Sequence, residues 1–334
     1  MNSNQAPDIP LVLRDNVEFF ASMFKDIDDK TYSLLRAATI PNDIYSETNY
    51  EYLPESCLKN FLEVLAQHLE GDRLGWLFLR SCKESFIPRM LMTISERSSL
   101  KDALEQFCEN LKKESTAANV YLEQKRGEWW LVREKSGVEE AWFKYAEMFS
   151  VICMAELLRA LTDDQWSPNR IGIQSPCIED FSKLRSLEQA QFFVERAVTA
   201  VEISEELLFS PVKIEANVKR REILTSTKNL NGLSFKEQFE LAIIPYLSMG
   251  KLPIKLAAEI LRMNVRTLQR RLSSEGIVYK QFIEELVFEK IAYHLRSSDE
   301  SIIQIANRFG YSDSAHFSRS FKRIFNQLPS TYRK

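Results

Sequence analysis

Four polar side chains recur along one side of a short helix predicted near the C-terminus of the chain. A helix over Val265 to Glu275 would place Leu268 and Leu272 on one side. The opposite side would carry Arg266, Gln269, Arg270 and Ser273. Arginine pairs with guanine and glutamine with adenine through two hydrogen bonds each in the major groove of DNA. Taken alone, this spacing indicates either a base-reading surface or an ordinary solvated helix face.

A second copy of the pattern follows further along the chain. A helix-turn-helix unit needs a small residue in its first helix and apolar residues on the inner side of its second. Ala258 and Leu268 fit these positions in the first unit, and Ala306 and Phe317 fit them in the second. The second outward face carries Ser314, Ala315, Ser318 and Arg319, with His316, Lys322 and Arg323 toward its edges. Two matched units favour DNA binding over two solvated helices, and the less charged second face is expected to discriminate bases less.

Local signals set the ends of these helices. Asn264 is a competent N-cap for the first of the two outward-facing helices, and Ser312 or Asp313 for the second. Gly310 can supply the positive φ that ends a helix. A long helix over Tyr279 to Arg296 joins the units and would span ~27 Å. The two outward helices would then lie about one DNA turn (~34 Å) apart, so that one chain reads two successive major-groove segments.

Charge divides the chain in the same place. Residues 233–334 hold 16 Lys and Arg against 10 Asp and Glu, whereas residues 1–232 carry a net −9. A basic region after an acidic one indicates that the basic region meets a polyanion. The 334 residues suffice for two domains. We predict an α+β effector-sensing or dimerisation domain over 1–215, a linker over 216–232 and a DNA-binding domain over 233–334.

Coarse periodicity gives the predicted fold class, an α+β N-terminal domain followed by an all-α C-terminal domain with two helix-turn-helix units joined by a long helix. In the first domain, apolar spacing predicts helices over Leu53 to Leu69, from Ser99, and over Glu139 to Leu161. A polar stretch with Gly127 between two apolar runs predicts a β-hairpin. Further short strands are expected at Ile171 to Ile173 and Ala197 to Ile203. In the second domain, Phe235 to Leu247 is predicted as a helix that Pro245 kinks or ends.

Most enzyme signatures are absent from the sequence. The three histidines and five cysteines show no metal-ligand spacing, and no glycine-rich phosphate loop occurs. We therefore expect no enzyme activity, no catalytic residues, no metal and no cofactor. The polar start of the chain and the lack of a long apolar run predict a cytoplasmic protein with no membrane partner.

The second half resembles the DNA-binding domain of AraC-family transcription regulators. The matching blocks are Asn264–Leu272, Glu275–Gly276, Ile305–Ala306, Phe309–Asp313, Phe317–Arg323 and Pro329–Arg333. The resemblance implies that Arg266, Gln269 and Arg270 face bases in one groove segment, and Ser314, Ser318 and Arg319 in the next. Two positions depart from the family. Arg262 stands where glycine is common, which would cost ~1 kcal/mol if its φ is positive, and Asn326 replaces a usual glycine.

The first half resembles the N-terminal domain of the ornithine-utilisation type of AraC-family regulator, and less closely. The resemblance is carried by Leu53–Pro54, Gly71–Gly75, Ser99–Leu104 and Leu207–Pro211. It implies a small-molecule effector or homodimer formation and assigns no ligand-contacting residue. Three further hypotheses concern side chains outside these blocks. Trp129, Trp130 and Trp142 could line an effector pocket or belong to the core or an interface. Cys57 or Cys153 could sense oxidants or be a buried apolar side chain. Lys219 to Arg221 could contact phosphates or belong to a solvated linker.

Together these patterns predict a sequence-specific regulator that binds double-stranded DNA. The family resemblance implies an activator that contacts RNA polymerase, and nothing in the residues distinguishes this from repression. Two alternatives stay open. One is a DNA-binding domain fused to an alkyl-transfer enzyme with a sacrificial cysteine, and the other is an architectural protein that binds DNA without sequence preference.

Overall fold

The computed structural model describes residues 8–46, 50–95, 98–117, 119–176, 178–212, 230, 232–249 and 252–333. Helices and strands mix in the first part, and the described residues from 233 onward form helices joined by short turns. The predicted fold class is therefore confirmed. Residues 213–229 and 231 lie outside the described residues, so the linker over 216–232 and its Lys219, Arg220 and Arg221 are not placed. The domain boundaries stay a prediction.

The first part contains two small sheets and a layer of helices. Its strands are β1 Leu11–Leu13, β2 Tyr52–Pro54, β3 Asn119–Lys125, β4 Glu128–Glu134, β5 Arg170–Gly172, β6 Gln191–Phe193 and β7 Thr199–Ile203. Its helices are α1 Arg14–Ser22, α2 Tyr32–Ala37, α3 Ser56–His68, α4 Gly71–Ser81, α5 Ile87–Leu91, α6 Leu100–Glu114, α7 Phe143–Leu161, α8 Glu179–Ser182 and α9 Glu205–Leu208.

The larger sheet has the strand order β3-β4-β7-β5-β6. The predicted hairpin is confirmed: β3 and β4 pair antiparallel, with Tyr121 opposite Val132. Its tight turn uses Arg126 and Gly127, both at positive φ (55° and 85°), which matches the twist of the strands. The expected strands near Ile171 and Val201 are also present as β5 and β7. The edge strand β6, which pairs parallel to β5, was not predicted.

The two-stranded ribbon of β1 and β2 lies between two hydrophobic cores. Side chains of a strand alternate between its faces. Val12 and Leu53 accordingly belong to the core of the first part. Leu11 and Tyr52 belong instead to a second core that is otherwise built from residues 230–321, together with Ile9. The start of the chain thus contributes directly to the packing of the C-terminal helices.

The C-terminal part is a set of helices with short connections. They are α10 Phe235–Ile243, α11 Ile254–Ile260, α12 Val265–Ser274, α13 Tyr279–Ser297, α14 Ile302–Arg308, α15 Ser314–Phe325 and α16 Pro329–Tyr332. The predicted effect of Pro245 is confirmed, because α10 ends at Ile243 and the chain continues as a 3-10 turn over Ile244–Met249. No helix in the described ranges is both long enough and apolar enough to span a bilayer.

Candidate nucleic-acid interface

The two helix-turn-helix units have the same backbone hydrogen bonds at their turns. In the first unit the N–H of Met263 donates to the carbonyl of Ala258 at 2.8 Å, and in the second the N–H of Tyr311 donates to that of Ala306 at 2.9 Å. In each unit the preceding residue, Arg262 or Gly310, also donates to the carbonyl three residues before it. The doubled pattern in the sequence therefore corresponds to two equivalent turns.

Each second helix is anchored by apolar side chains on its inner face. Leu268 and Leu272 of α12 are buried, as are Phe317 and Phe321 of α15. Ala258 and Ala306 are each only 2% exposed, so the first helix of each unit presents a methyl group where the second helix crosses it. The small and apolar positions predicted for both units are confirmed.

Side-chain caps begin both outward helices. The Asn264 carboxamide oxygen accepts a hydrogen bond from the N–H of Arg266 at 2.8 Å. The Asp313 carboxylate accepts a hydrogen bond from the N–H of Ala315 at 2.8 Å. Asp313 rather than Ser312 is therefore the N-cap of α15. The N–H groups of Ala315 and His316 lower the pKa of the Asp313 carboxyl, because they stabilise its charged form. These caps fix the first turn of each helix, from which outward side chains project.

The predicted contact residues of α12 share one exposed face. Arg266, Gln269, Arg270 and Ser273 are all exposed. None of these four side chains has a hydrogen bond or ion pair with another described residue. The neighbouring Arg271 is different: it forms an ion pair with Asp8 at 2.6 Å and lies over the ring of Phe235. The four side chains that the sequence placed on the outward side of α12 are therefore exposed and unpaired among the described residues.

The outward face of α15 carries one central cation, Arg319, and further ionisable side chains toward its edges. Ser314, Arg319 and Lys322 are exposed and Ser318 is partly buried. Arg323 forms an ion pair with Glu284 of α13. His316 stacks on Tyr311, with ring centroids 5.8 Å apart. The central positions Ser314, Ala315, Ser318 and Arg319 thus carry one cation against two on α12, and Lys322 at the edge adds a second exposed cation.

Helix α13 carries both units on one core. Its Phe288 ring lies 6.1 Å from that of Phe317 and 5.5 Å from that of Tyr311. Leu286 and Ile291 are buried in the same cluster as Leu268 and Leu272. The 19 residues of α13 would extend over ~28 Å. The separation of the two outward helices by one DNA turn stays a prediction.

Arg262, at the turn of the first unit, adopts a positive φ of 51°, so the strain expected of a non-glycine residue there is real. Its side chain reaches α3. The guanidinium Nε donates to Oδ1 of Asn60 at 2.7 Å, and Nη2 pairs with Glu63. A glycine could make neither bond. The other departure, Asn326, also lies in the left-handed region (φ 55°), which asparagine tolerates.

Further contacts join the C-terminal helices to the N-terminal part. The Ser56 hydroxyl of α3 donates to the carbonyl of Ile260 at 2.5 Å. The N–H of Ile9 donates to the Gln238 side chain at 2.8 Å, and the Tyr246 hydroxyl to the carbonyl of Thr39 at 2.8 Å. Burial raises the pKa of Tyr246. The N-terminal part and the C-terminal helices therefore share a hydrogen-bonded interface that the sequence did not predict, and α3 is the element that bonds to the first unit.

Of the three tryptophans considered for an effector pocket, Trp142 lines a cavity of the N-terminal part, together with Arg133. Trp129 and Trp130 are not among its lining residues. Arg133 was not among the residues predicted from the sequence. Its position on β4 could have identified it. Every second residue of a strand lies on the same face, so Arg133 shares a face with Trp129 and the core residue Leu131.

The cysteines considered for chemistry are buried. Cys57 and Cys153 both lie in the core, and burial with the nearby Glu55 raises the pKa of Cys57. A sacrificial or oxidant-sensing cysteine acts as the thiolate, which a raised pKa disfavours. In the described part of the chain, no group of three His, Cys, Asp or Glu is arranged to hold a metal ion.

Comparisons with known proteins match the C-terminal part. Residues 257–334 match a helix-turn-helix domain family. The chain is 38% identical over 78 residues to the HTH-type transcriptional activator RhaS of Escherichia coli O139:H28, which covers 23% of this chain and 28% of that protein. The same protein of Salmonella arizonae gives the same figures. The match thus spans little more than a quarter of the length of these curated relatives.

Among solved structures, the transcriptional regulator CdpR from Pseudomonas aeruginosa aligns with 94% of this chain and 98% of its own at 15% identity. Its TM-score is 0.41, which is below the level that indicates a shared fold. The C-terminal domain of AraT, a response regulator from Geobacillus stearothermophilus, aligns with 29% of this chain at 29% identity and a TM-score of 0.27.

Proposed function

Because residues 257–334 are a helix-turn-helix domain of the AraC type, we propose that this chain is a transcription regulator that recognises a specific site on double-stranded DNA. One observation carries the proposal. Two structurally equivalent units lie on a common helix, and the outward face of the first holds Arg266, Gln269 and Arg270 with their side chains exposed and unpaired among the described residues. Such donors are available to base edges without first breaking an internal bond.

The contacts divide between two groove segments. Arg266, Gln269, Arg270 and Ser273 of α12 would contact one segment, and Ser314, Ser318, Arg319 and Lys322 of α15 the next. The arginines and Gln269 supply base readout, because their forked donors and acceptors match guanine and adenine. The serines and Lys322 would contact the DNA backbone and so fix the orientation of the protein on the duplex.

The N-terminal part would control this activity from the cytoplasm, through a small-molecule effector or through homodimer formation. The bonds from Ser56 and Asn60 to the first unit support such control, since a change in α3 reaches the turn of that unit directly. We further propose that the chain activates transcription by contacting RNA polymerase. The named relatives, which match only this domain, are transcriptional activators.

The decisive experiment is recovery of sheared genomic DNA from the source organism on full-length protein at about 0.15 M salt, followed by sequencing. A few sharply enriched sites are expected. Uniform recovery would contradict the proposal and favour an architectural binder, because phosphate contacts alone do not select sequence.

A matched pair of variants separates base readout from general charge. Arg270→Ala removes a cation from the outward face of α12, whereas Arg73→Ala removes one from an exposed position of α4 in the N-terminal part. The first should lose the enriched sites and the second should keep them. Equal enrichment with both variants would show that α12 does not select the site.

A further inference from the structure

A cavity of about 190 Å³ lies in the N-terminal part, between α3, α7 and the β3–β4 hairpin. One side of it is apolar and largely aromatic, formed by Phe20, Leu58, Phe61, Leu62, Phe86 and Phe149. The Phe149 ring meets those of Phe20 and Phe86 edge-to-face at 4.8 and 5.5 Å. A dry apolar cavity of ~150 Å³ holds benzene. The volume therefore suits a body of one aromatic ring or a short alkyl chain.

The opposite side of the cavity is charged. Lys59, Arg133 and Lys135 line it, along with the carboxylates of Glu55 and Glu134. Glu55 pairs with Lys135 and lies 3.9 Å from Lys59, and Glu134 accepts a hydrogen bond from Asn119. Both carboxylates are thus engaged with groups other than Arg133. The exposed Glu134 marks the side on which the cavity meets solvent.

Among these three cations, Arg133 is the one whose side chain has a buried N–H group without a hydrogen-bond acceptor. Its Nη1 is buried and has no hydrogen-bond partner. The buried carboxylate of Glu147, which favours the charged form of Arg133, already accepts from the N–H groups of Gln174 and Ser175 and from two hydroxyls. Burial lowers the pKa of Arg133 to about 10, so the guanidinium is still charged at neutral pH. A buried cation without a bonded anion is costly, and an anion supplied from outside would remove that cost.

We propose that this cavity binds a small aryl or short alkyl monocarboxylate, with the carboxylate on Arg133 and the apolar body among Phe20, Phe86 and Phe149. A single unpaired guanidinium nitrogen suits a monoanion, because Lys59 and Lys135, the other cations of the lining, are already paired with Glu55. A phosphate would bring more charge and more acceptor oxygens than these residues can satisfy.

Helix α3 links this cavity to the first helix-turn-helix unit. Leu58 and Leu62 of α3 line the cavity. Ser56, Asn60 and Glu63 follow one another at helical spacing on another side of α3 and bond to Ile260 and Arg262. A ligand that moves α3 therefore moves the groups that hold the turn before α12. This part of the inference rests on the proposed DNA-binding function.

The cavity is tested first without DNA, by calorimetry on the full-length protein with three compounds of one shape. Phenylacetate, phenylacetamide and 2-phenylethylamine differ in the charge of the head group. Phenylacetate should bind at least about tenfold more tightly than the amide, and the amine should not bind. Equal binding of all three would overturn the proposal. So would failure of benzoate, phenylacetate, 3-phenylpropionate, hexanoate and octanoate to bind at millimolar concentration.

A variant pair tests the anchor. Arg133→Met should weaken phenylacetate about tenfold or more and leave the amide unchanged. Lys125→Met, which removes a cation from an exposed position of the same hairpin, should leave both unchanged. Loss of phenylacetate binding in both variants would overturn the role of Arg133. The three-compound comparison on the unaltered protein decides the proposal even where Arg133→Met does not fold.

The link through α3 is tested by measuring DNA affinity with and without phenylacetate. The ligand should change the affinity of the full-length protein for its enriched sites, and Arg262→Gly should abolish that change. Ligand binding without a change in DNA affinity would overturn the link while the carboxylate site stands. Absence of any DNA binding would overturn the proposed function, and the calorimetry would still decide the cavity.

Discussion

The guanidinium Nε of Arg262 donates to Oδ1 of Asn60 at 2.7 Å, across 202 positions of sequence. This bond joins the turn of the first helix-turn-helix unit to α3 of the N-terminal part. The equivalent turn position of the second unit is Gly310, with φ 79° and no side chain to bond. The two units are thus alike in backbone and differ in their attachment to the rest of the chain.

The strain and the bonds of Arg262 can be separated by two substitutions. Arg262→Ala loses the bonds and keeps a non-glycine residue at φ 51°. Arg262→Gly loses the same bonds but relieves a strain of about 1 kcal/mol. We expect the glycine variant to be the more stable of the two by about that amount in urea denaturation. Gly310→Ala, which introduces such strain in the second unit, is the control and should be destabilising. Equal stability of the two Arg262 variants would contradict the strain argument.

Base readout by α12 predicts a selective loss of affinity. Arg266→Ala or Arg270→Ala should cost about 1–3 kcal/mol at the specific site and change binding to random DNA little. Titration of both DNAs by fluorescence anisotropy at one salt concentration measures the two effects. Equal weakening on both DNAs would mean that these arginines contact phosphates.

The buried Glu147 is predicted to be essential to the first core. Its carboxylate is fully buried and accepts hydrogen bonds from Gln174, Ser175 and Thr199, which tie α7 to the loop after β5 and to β7. Glu147→Leu would leave these donors unpaired and should lower the free energy of unfolding by about 3 kcal/mol or more. Chemical denaturation followed by tryptophan fluorescence measures the loss.

The control for this substitution is Glu139→Leu, at an exposed position before α7, and it should change the free energy of unfolding by less than about 0.5 kcal/mol. A comparable loss in both variants would mean that the hydrogen bonds of Glu147 are not the cause.

The lowered pKa of Lys290 should make the free energy of unfolding depend on pH. Burial lowers its pKa to about 8, and its Nζ donates to the carbonyl of Ile244 at 2.7 Å. The unfolded chain, in which lysine has its ordinary pKa of about 10.4, binds more protons than the folded chain between these values. The contribution of Lys290 to the free energy of unfolding should therefore become more favourable as the pH increases from about 8 to 10.

Urea denaturation across that range, compared with Lys290→Met, isolates the effect from other titrating groups. The free energy of unfolding of the unaltered protein, minus that of Lys290→Met, should increase as the pH rises. A difference that does not depend on pH would contradict the lowered pKa of Lys290.

The sequence by itself determined the two helix-turn-helix units. Asn264 caps α12, Gly310 ends the first helix of the second unit, and Leu268 and Phe317 mark the inner faces. Each of these signals acts over a few residues, because capping bonds and helical periodicity join near neighbours. The same locality explains why the β3–β4 hairpin with Gly127 was predicted.

Only the tertiary structure decided what these elements touch. The alternation of Leu11 and Val12 between two cores, the bond from Arg262 to Asn60 and the place of Arg133 in a cavity all join residues far apart in sequence. Such contacts depend on how whole helices and strands pack, which no local pattern encodes. The positive φ at Arg262 shows the division: the sequence identified the position, and the fold supplied the bonds that its side chain makes.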